Sequence, residues 1–170
     1  MSTRDVIQPP ANRDAVRVVG RARRKPDDPL LLERLAETGF LATEFGLDHQ
    51  AELIFRSLIR LRPGKPSPRI ALAMVEARRG QMQSAIGQLR QIIEEYPDLE
   101  LARAVLGTML LHIGEPGALQ FLEDIVARGG DPGAISVAAS CIEQAQAERA
   151  RNADKEHAAL EFHRHHNIRA

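Results

Sequence analysis

Apolar residues recur every three or four positions along most of the chain after residue 28, which predicts amphipathic helices. No stretch alternates apolar and polar residues as a half-buried strand would. The predicted helices cover about residues 29–45, 49–62, 68–79, 82–95, 99–113, 117–128 and 132–150. The sequence therefore predicts an all-α protein.

Helix boundaries are marked by recurring residue types. Three dipeptides place a capping residue before a proline, as the first turn of a helix prefers: Asp28–Pro29, Ser67–Pro68 and Asp131–Pro132. Three glycines each follow an apolar-periodic stretch, where glycine can end a helix in the left-handed conformation: Gly46, Gly80 and Gly114. These signals indicate helices joined by short turns.

The three glycines are equally spaced along the chain, and neighbouring residues repeat at the same interval. The matching pairs are Ala51 and Ala85, Phe55 and Leu89, and Pro63 and Pro97. This period, about 34 residues, is typical of a helix–turn–helix repeat. In such a repeat, the alanine allows two helices to cross closely, and the bulky residue one turn later fills the space between them.

These residues resemble the tetratricopeptide repeat over about residues 32–133, in three units. The second unit matches best, through Leu72, Ala73, Gly80, Ala85, Leu89 and Pro97. The first unit has Thr38–Gly39 where the family has Leu-Gly, and the third unit is one residue short. The usual aromatic residue is replaced throughout, by Leu35, Arg69 and Arg103. The resemblance implies about three helix-turn-helix repeats followed by a C-terminal capping helix, with residues 27–150 forming the repeat domain.

The resemblance also implies a concave groove lined by the first helix of each unit. Carried over by position, its residues are Glu33, Ala36, Phe40, Thr43, Glu44, Ile70, Met74, Ala77, Arg78, Leu101, Ala104, Thr108, Leu111 and His112. The Lys and Asn residues with which some family members hold acidic C-termini are missing. An apolar groove suits an amphipathic helix or an extended apolar segment of a protein partner. Alternatively, these side chains pack against the N-terminal arm or the C-terminal helix.

Charge is distributed unevenly, although the net formal charge of the chain is zero. Residues 1–26 contain seven Arg and Lys against two Asp, so this segment carries +5 and the remainder carries −5. The segment lacks helical periodicity, and we expect a disordered, solvated arm. Val16, Val18 and Val19 could order on a partner, and binding of nucleic acid through the arginines is the alternative function of the arm.

Features that the sequence lacks bear on the cellular compartment of the protein and on whether it has enzymatic activity. No apolar run approaches the roughly 18 residues of a membrane span, and the charged N-terminus has no signal-peptide core. A single cysteine, Cys141, fits a reducing compartment, so we expect a cytoplasmic protein. Nucleotide-binding, zinc-protease, redox and hydrolase motifs are missing, and neither enzymatic activity nor a cofactor is expected.

Two features remain as candidate chemistry. The charged segment 151–170 contains His157, His163, His165 and His166, which with Glu161 could bind a metal. His165 and His166 are adjacent and would face different ways, so a solvated tail or helix extension is favoured. Cys141 lies on an apolar helical stripe, which favours a packed small hydrophobe over a nucleophile.

Three degenerate repeats, a short chain and an acidic body resemble the small chaperones of bacterial type III secretion. The segment FGLDHQAELIFRSLIRLRPGKPSPRIALAMVEARRGQMQSAIGQL is similar in layout to translocator chaperones, needle-subunit chaperones and Hrp-type assembly proteins. The resemblance implies that the groove holds an aggregation-prone segment of a secretion substrate until export. A general scaffold and a regulator that contacts nucleic acid through the basic arm are the alternatives, and a homodimer remains open.

Overall fold

The computed structural model describes the backbone of residues 28–167 and the side chains as far as residue 157. This part of the chain is helical, without strands: α1 Pro29–Glu44, α2 Asp48–Leu61, α3 Ser67–Arg78, α4 Met82–Glu95, α5 Glu100–His112, α6 Ala118–Arg128 and α7 Pro132–Asn167. The all-α prediction is confirmed, and the first six helices begin and end within one residue of their predicted bounds. Helix α7 continues well past the predicted end at residue 150. The predicted N-terminal arm, residues 1–26, lies outside the described residues.

Two of the three predicted caps are present. A carboxylate oxygen of Asp28 accepts a hydrogen bond from the backbone N–H of Leu30 (3.1 Å), and Asp131 caps α7 in the same way (2.8 Å). The prediction at Ser67 was wrong, because Pro66 already has helical dihedral angles and its carbonyl accepts the first bond of the helix. Ser67 therefore lies inside the first turn, and no side chain caps α3.

The predicted glycine stops are confirmed by the backbone. Gly46, Gly80 and Gly114 follow α1, α3 and α5 with φ angles of 72°, 83° and 74°. Only glycine adopts this left-handed region without steric cost. Each turn therefore sends the chain sharply back, so that α1 pairs with α2, α3 with α4, and α5 with α6.

The three hairpins share one packing contact. Phe55, Leu89 and Leu122 are almost fully buried at the equivalent place in α2, α4 and α6. In the first hairpin, a Cβ added to Gly39 of α1 would lie 2.8 Å from the Phe55 ring. In the third, a Cβ added to Gly107 of α5 would lie 2.6 Å from the Leu122 side chain. The helix pairs therefore approach so closely that these two positions have no room for a side chain.

The third repeat is one residue shorter than the second, and the turn between α5 and α6 accommodates the difference. Ala51 and Ala85, which are separated by one full repeat, are both fully buried. The equivalent buried alanine of the third hairpin is Ala118, which follows Ala85 by one position less than a full repeat. Gly117, with a φ angle of 81°, immediately precedes α6. The left-handed glycine takes the place of the missing helical residues, so the bulky residue of α6 still reaches its position opposite α5.

Successive hairpins pack through three clusters of buried side chains in the described residues. The first cluster joins α1 and α2 to α3, the second joins α3 and α4 to α5, and the third joins α5 and α6 to α7. Helices α3 and α5 therefore contribute to two clusters each. Because these helices are buried on two sides, only a narrow stripe of each remains at the surface.

Ion pairs add to the contact between the first two hairpins. Glu52 of α2 forms ion pairs with Arg56 of the same helix, at 2.8 Å, and with Arg79 at the end of α3. The hydrogen bond from Arg56 and the nearby charge of Arg79 hold the pKa of the Glu52 carboxyl below its ordinary value. A lowered pKa means that the pairing contributes stability above the ordinary carboxyl pKa and loses it as the pH falls through the folded-state value.

Replacing Arg79 should raise the pKa of Glu52. We expect Arg79→Gln to move the Glu52 titration, followed by carboxyl carbon chemical shifts, upward but not fully to the value of an isolated glutamate, because Arg56 remains. Arg34→Gln, which removes an exposed partner of Glu37, is the control and should leave the Glu52 titration unchanged. An unchanged titration in Arg79→Gln would show that the two hairpins are not joined by this pair.

The close approach at Gly107 can be tested against a glycine that has free space. We expect Gly107→Ala to lower the free energy of unfolding by about 1–3 kcal/mol, because the new methyl group collides with Leu122 and Phe121. Gly87 is exposed within α4 and has no neighbouring atoms at its Cβ position. Gly87→Ala should therefore raise the free energy of unfolding by about 0.5–1 kcal/mol. Urea unfolding of both variants measures the contrast, and equal effects would contradict the packing described above.

Candidate functional site

The helix contacts indicate which side of the array is concave. Helices α1, α3, α5 and α7 contact one another in succession, whereas α2, α4 and α6 do not contact each other. The odd-numbered helices are therefore closer together than the even-numbered helices. An array that is narrower on one side curves toward that side, so the exposed stripes of α1, α3 and α5 lie on its inner side.

Most of the predicted groove residues are at least partly exposed on these helices. We call the following set the inner face: Glu33, Ala36, Phe40, Thr43, Glu44, Met74, Ala77, Arg78, Leu101, Thr108, Leu111 and His112. Two predicted members do not belong to it, because Ile70 and Ala104 are 3% and 0% exposed. Ile70 packs in the cluster of α3, α4 and α5, and Ala104 packs in the cluster of α5, α6 and α7. Their assignment to a binding surface was wrong, because α3 and α5 are buried on two sides.

Phe40 and Met74 are the large apolar side chains that the inner face leaves most open. They occupy equivalent positions of the first two repeats, on neighbouring helices, and 47% and 38% of their surface is exposed. The Phe40 ring meets the buried Phe55 ring edge-on, with 5.2 Å between centroids. One side of Phe40 thus contacts the core, while the rest of the ring is exposed.

The two threonines of the inner face are less polar than their sequence suggests. The hydroxyl of Thr43 donates a hydrogen bond to the carbonyl of Gly39 (3.0 Å), and that of Thr108 donates to the carbonyl of Ala104 (3.0 Å). Both hydroxyls are therefore satisfied within their own helices. A partner that covers these residues therefore leaves no hydroxyl donor unpaired, which suits the apolar side chains at the centre of the inner face.

Charged residues of the inner face are concentrated on α1. Glu33 and Glu44 are both exposed on this helix. The cation of α3, Arg78, donates a hydrogen bond to Asp48 of α2 (3.2 Å) and is directed away from the centre of the face. Asp48 does not cap its own helix, because α2 has no side-chain cap bond. The inner face is therefore acidic at its α1 end and apolar across its middle.

A cleft that the sequence did not predict continues from the α5 end of the inner face. It lies between the turn after α5 and the side of α7, and its lining includes Leu111, Leu119, Glu148, Arg149 and Asn152. No signal in the sequence indicated it, because the cleft forms where α7 lies beside the turn after α5, and one of its lining residues, Asn152, lies beyond the predicted end of the helix. Whether a helix continues in such a polar stretch depends on weak preferences.

Helix α7 packs only through its first part. Ala134 and Ala138 are fully buried, and Cys141 is half-buried beside the same cluster, as its position on an apolar stripe indicated. Residues 146–157 are exposed. Among the described side chains, no group of three His, Cys, Asp or Glu residues is placed to hold a metal ion. His163, His165 and His166 lie outside the described side chains.

The chain matches no protein-family model and no curated protein. In the part of the chain that the structure describes, no helix combines the length and apolar character needed to cross a membrane. The inner face exposes large apolar side chains at equivalent positions of successive repeats, and it is the feature from which we infer a function.

A pair of substitutions on α3 distinguishes the inner face from the core. Ile70→Ala should lower the free energy of unfolding by about 2–5 kcal/mol, because it leaves a cavity between packed helices. Met74→Ala, one turn further along, should change it by no more than about 0.5 kcal/mol, as is usual for surface positions. Chemical unfolding of both variants gives the comparison. A large loss in Met74→Ala would place Met74 in the core.

Proposed function

We propose that this chain is a protein-binding module whose inner face holds the apolar side of an amphipathic helix or an extended apolar segment. The observation that carries the proposal is the exposure of Phe40 and Met74 at equivalent positions of neighbouring helices. Exposed apolar side chains that are grouped on one surface mark interaction sites more often than isolated ones do. Met74 adds an adaptable side chain that can adjust to the partner.

The tetratricopeptide type of repeat is the arrangement that best accounts for the hairpins. The left-handed glycines at positions 46, 80 and 114 recur at a constant interval, and each hairpin buries a small residue and a bulky residue at the equivalent place. Helix α7 packs on both α5 and α6 and covers the end of the last hairpin. This role fits the capping helix that such an array needs at its end.

The chemistry of the inner face favours an apolar partner surface over a charged one. Burial of Phe40 and Met74 against a partner is favourable, because it removes apolar surface from water. The hydroxyls of the two threonines already donate hydrogen bonds within their own helices. Ile70 and Ala104 support the face from beneath without contributing surface. A partner helix with apolar residues every three or four positions can cover several of these side chains at once.

The partner class we propose is a secretion substrate kept soluble in the cytoplasm before export. The support is the resemblance of the repeat segment to small type III secretion chaperones, together with an inner face that suits an aggregation-prone apolar segment. A general scaffold would use the same face but would not change the solubility of its partner. Co-expression with the captured partner separates the two functions, since only a chaperone increases the soluble fraction.

Charged substitutions on the inner face should abolish partner binding while leaving the fold intact. We expect Phe40→Asp and Met74→Asp to weaken binding by at least about 2 kcal/mol, or roughly 30-fold, because a buried carboxylate would have no counter-charge. The measurement is affinity capture from the native host with the full chain as bait, followed by titration of the captured protein. A thermal melt of each variant tests the fold in parallel.

Leu53→Asp provides the matched control. Leu53 is 54% exposed on α2, away from the odd-numbered helices, and its replacement should leave binding unchanged. Early melting of Phe40→Asp and Met74→Asp would show that these residues belong to the core. Folded variants that retain every partner would place the binding surface elsewhere.

A further inference from the structure

Helix α1 exposes a second apolar stripe that the inner face does not include. Leu30, Leu41 and Phe45 are 47%, 53% and 77% exposed. They lie on the same side of the helix, because the intervals between positions 30, 41 and 45 are close to whole turns. Leu41 and Phe45, about one turn apart at the end of the first described helix, form an apolar pair that binding would cover.

Acidic residues border this stripe. Glu33 and Glu37 are exposed along the first half of α1, and Glu37 accepts a hydrogen bond from Arg34 at 2.9 Å. We define the outer face of α1 as Leu30, Glu33, Glu37, Leu41 and Phe45. Its acidic residues lie in the first half of the helix, and two of its three apolar residues lie at the far end.

We propose that the outer face of α1 binds residues 13–25 of the same chain. Their sequence is RDAVRVVGRARRK, which consists of two blocks. Residues 16–19 supply three valines, and residues 21–25 supply three arginines and a lysine without any acidic residue. The basic block complements the glutamates of the outer face, and the valine block complements its apolar end.

The position of the segment in the chain sets the direction of binding. Residues 21–25 are three to seven residues from the cap of α1 at Asp28, so they can reach at most about 10–25 Å along it. Arg24 and Lys25, which can reach only about 10–14 Å, are therefore confined to the half of α1 that contains Glu33 and Glu37, whereas Arg21 can reach the far end of the helix. Residues 16–19 are nine to twelve residues away and can span more than the roughly 24 Å length of the helix. The order of the two blocks thus matches the order of acidic and apolar residues on α1.

Attachment to the same chain favours this occupant over a separate molecule. A short linker gives an effective concentration in the millimolar range, so even a weak pairing of charges and apolar side chains is populated. The electrostatic part of the pairing depends on salt, because exposed charges are screened. The proposal does not depend on the partner-binding function, since the two faces of α1 share only Glu33 at their border and have different apolar residues.

Intramolecular disulfide formation tests the proposal in the full chain. In a Cys141→Ser background, the pair Val18→Cys and Leu41→Cys should cross-link within one chain. The control pairs Val18→Cys with Leu53→Cys, a leucine of nearly equal exposure at a similar height in the first hairpin. At about 0.01 M salt, we expect the first pair to oxidise about tenfold faster than the control, because binding raises the local thiol concentration. At about 1 M salt the difference should shrink, since the screening length falls to about 3 Å.

Charge reversal supplies a second measurement. Glu33→Lys with Glu37→Lys should slow cross-linking of the first pair to the rate of the control, whereas Glu94→Lys, on α4, should leave it unchanged. Equal rates for the two cysteine pairs at low salt would overturn the proposal. So would disulfides formed mainly between chains, which would identify a second copy as the occupant. Circular dichroism of every variant confirms that the helices are retained.

Discussion

The close approach of paired helices is the constraint on which the rest of the structure depends. Within each hairpin, a glycine or alanine of the first helix faces a fully buried bulky residue of the second helix. At Gly39 and Gly107 the clearance is so small that even a Cβ would collide with the opposing side chain. Because the helices are this close, each hairpin is thin, and three of them must stack to form a core of useful size.

Stacking in turn determines which residues remain available for binding. Helices α3 and α5 each take part in two clusters of buried side chains, which removes most of their surface from solvent. Ile70 and Ala104 are buried for this reason, although their positions in the repeat resemble those of groove residues. The surface that remains is a narrow stripe on each odd-numbered helix, and Phe40 and Met74 are its large open side chains.

The two surfaces of α1 follow from its position at the end of the array. The first helix of an inner hairpin is covered on both sides by the elements before and after it. The described residues place no hairpin before α1. One side of α1 therefore continues the inner face, and the other exposes Leu41 and Phe45. Exposed apolar residues beside glutamates are suited to a basic segment with apolar side chains, and such a segment lies in the same chain immediately before α1.

The sequence alone determined the helices, their turns and the pairing within hairpins, because these depend on local signals. Apolar periodicity located the helices, and the left-handed glycines at positions 46, 80 and 114 fixed the turns. Repetition of small and bulky residues indicated which of them would meet. The sequence could not show the burial of Ile70 and Ala104, the direction of the Arg78 side chain toward Asp48, or the cleft beside α7. Each of these depends on how a hairpin, or α7, lies against the preceding hairpin. Such contacts join residues whose pairing leaves no periodic trace in the chain.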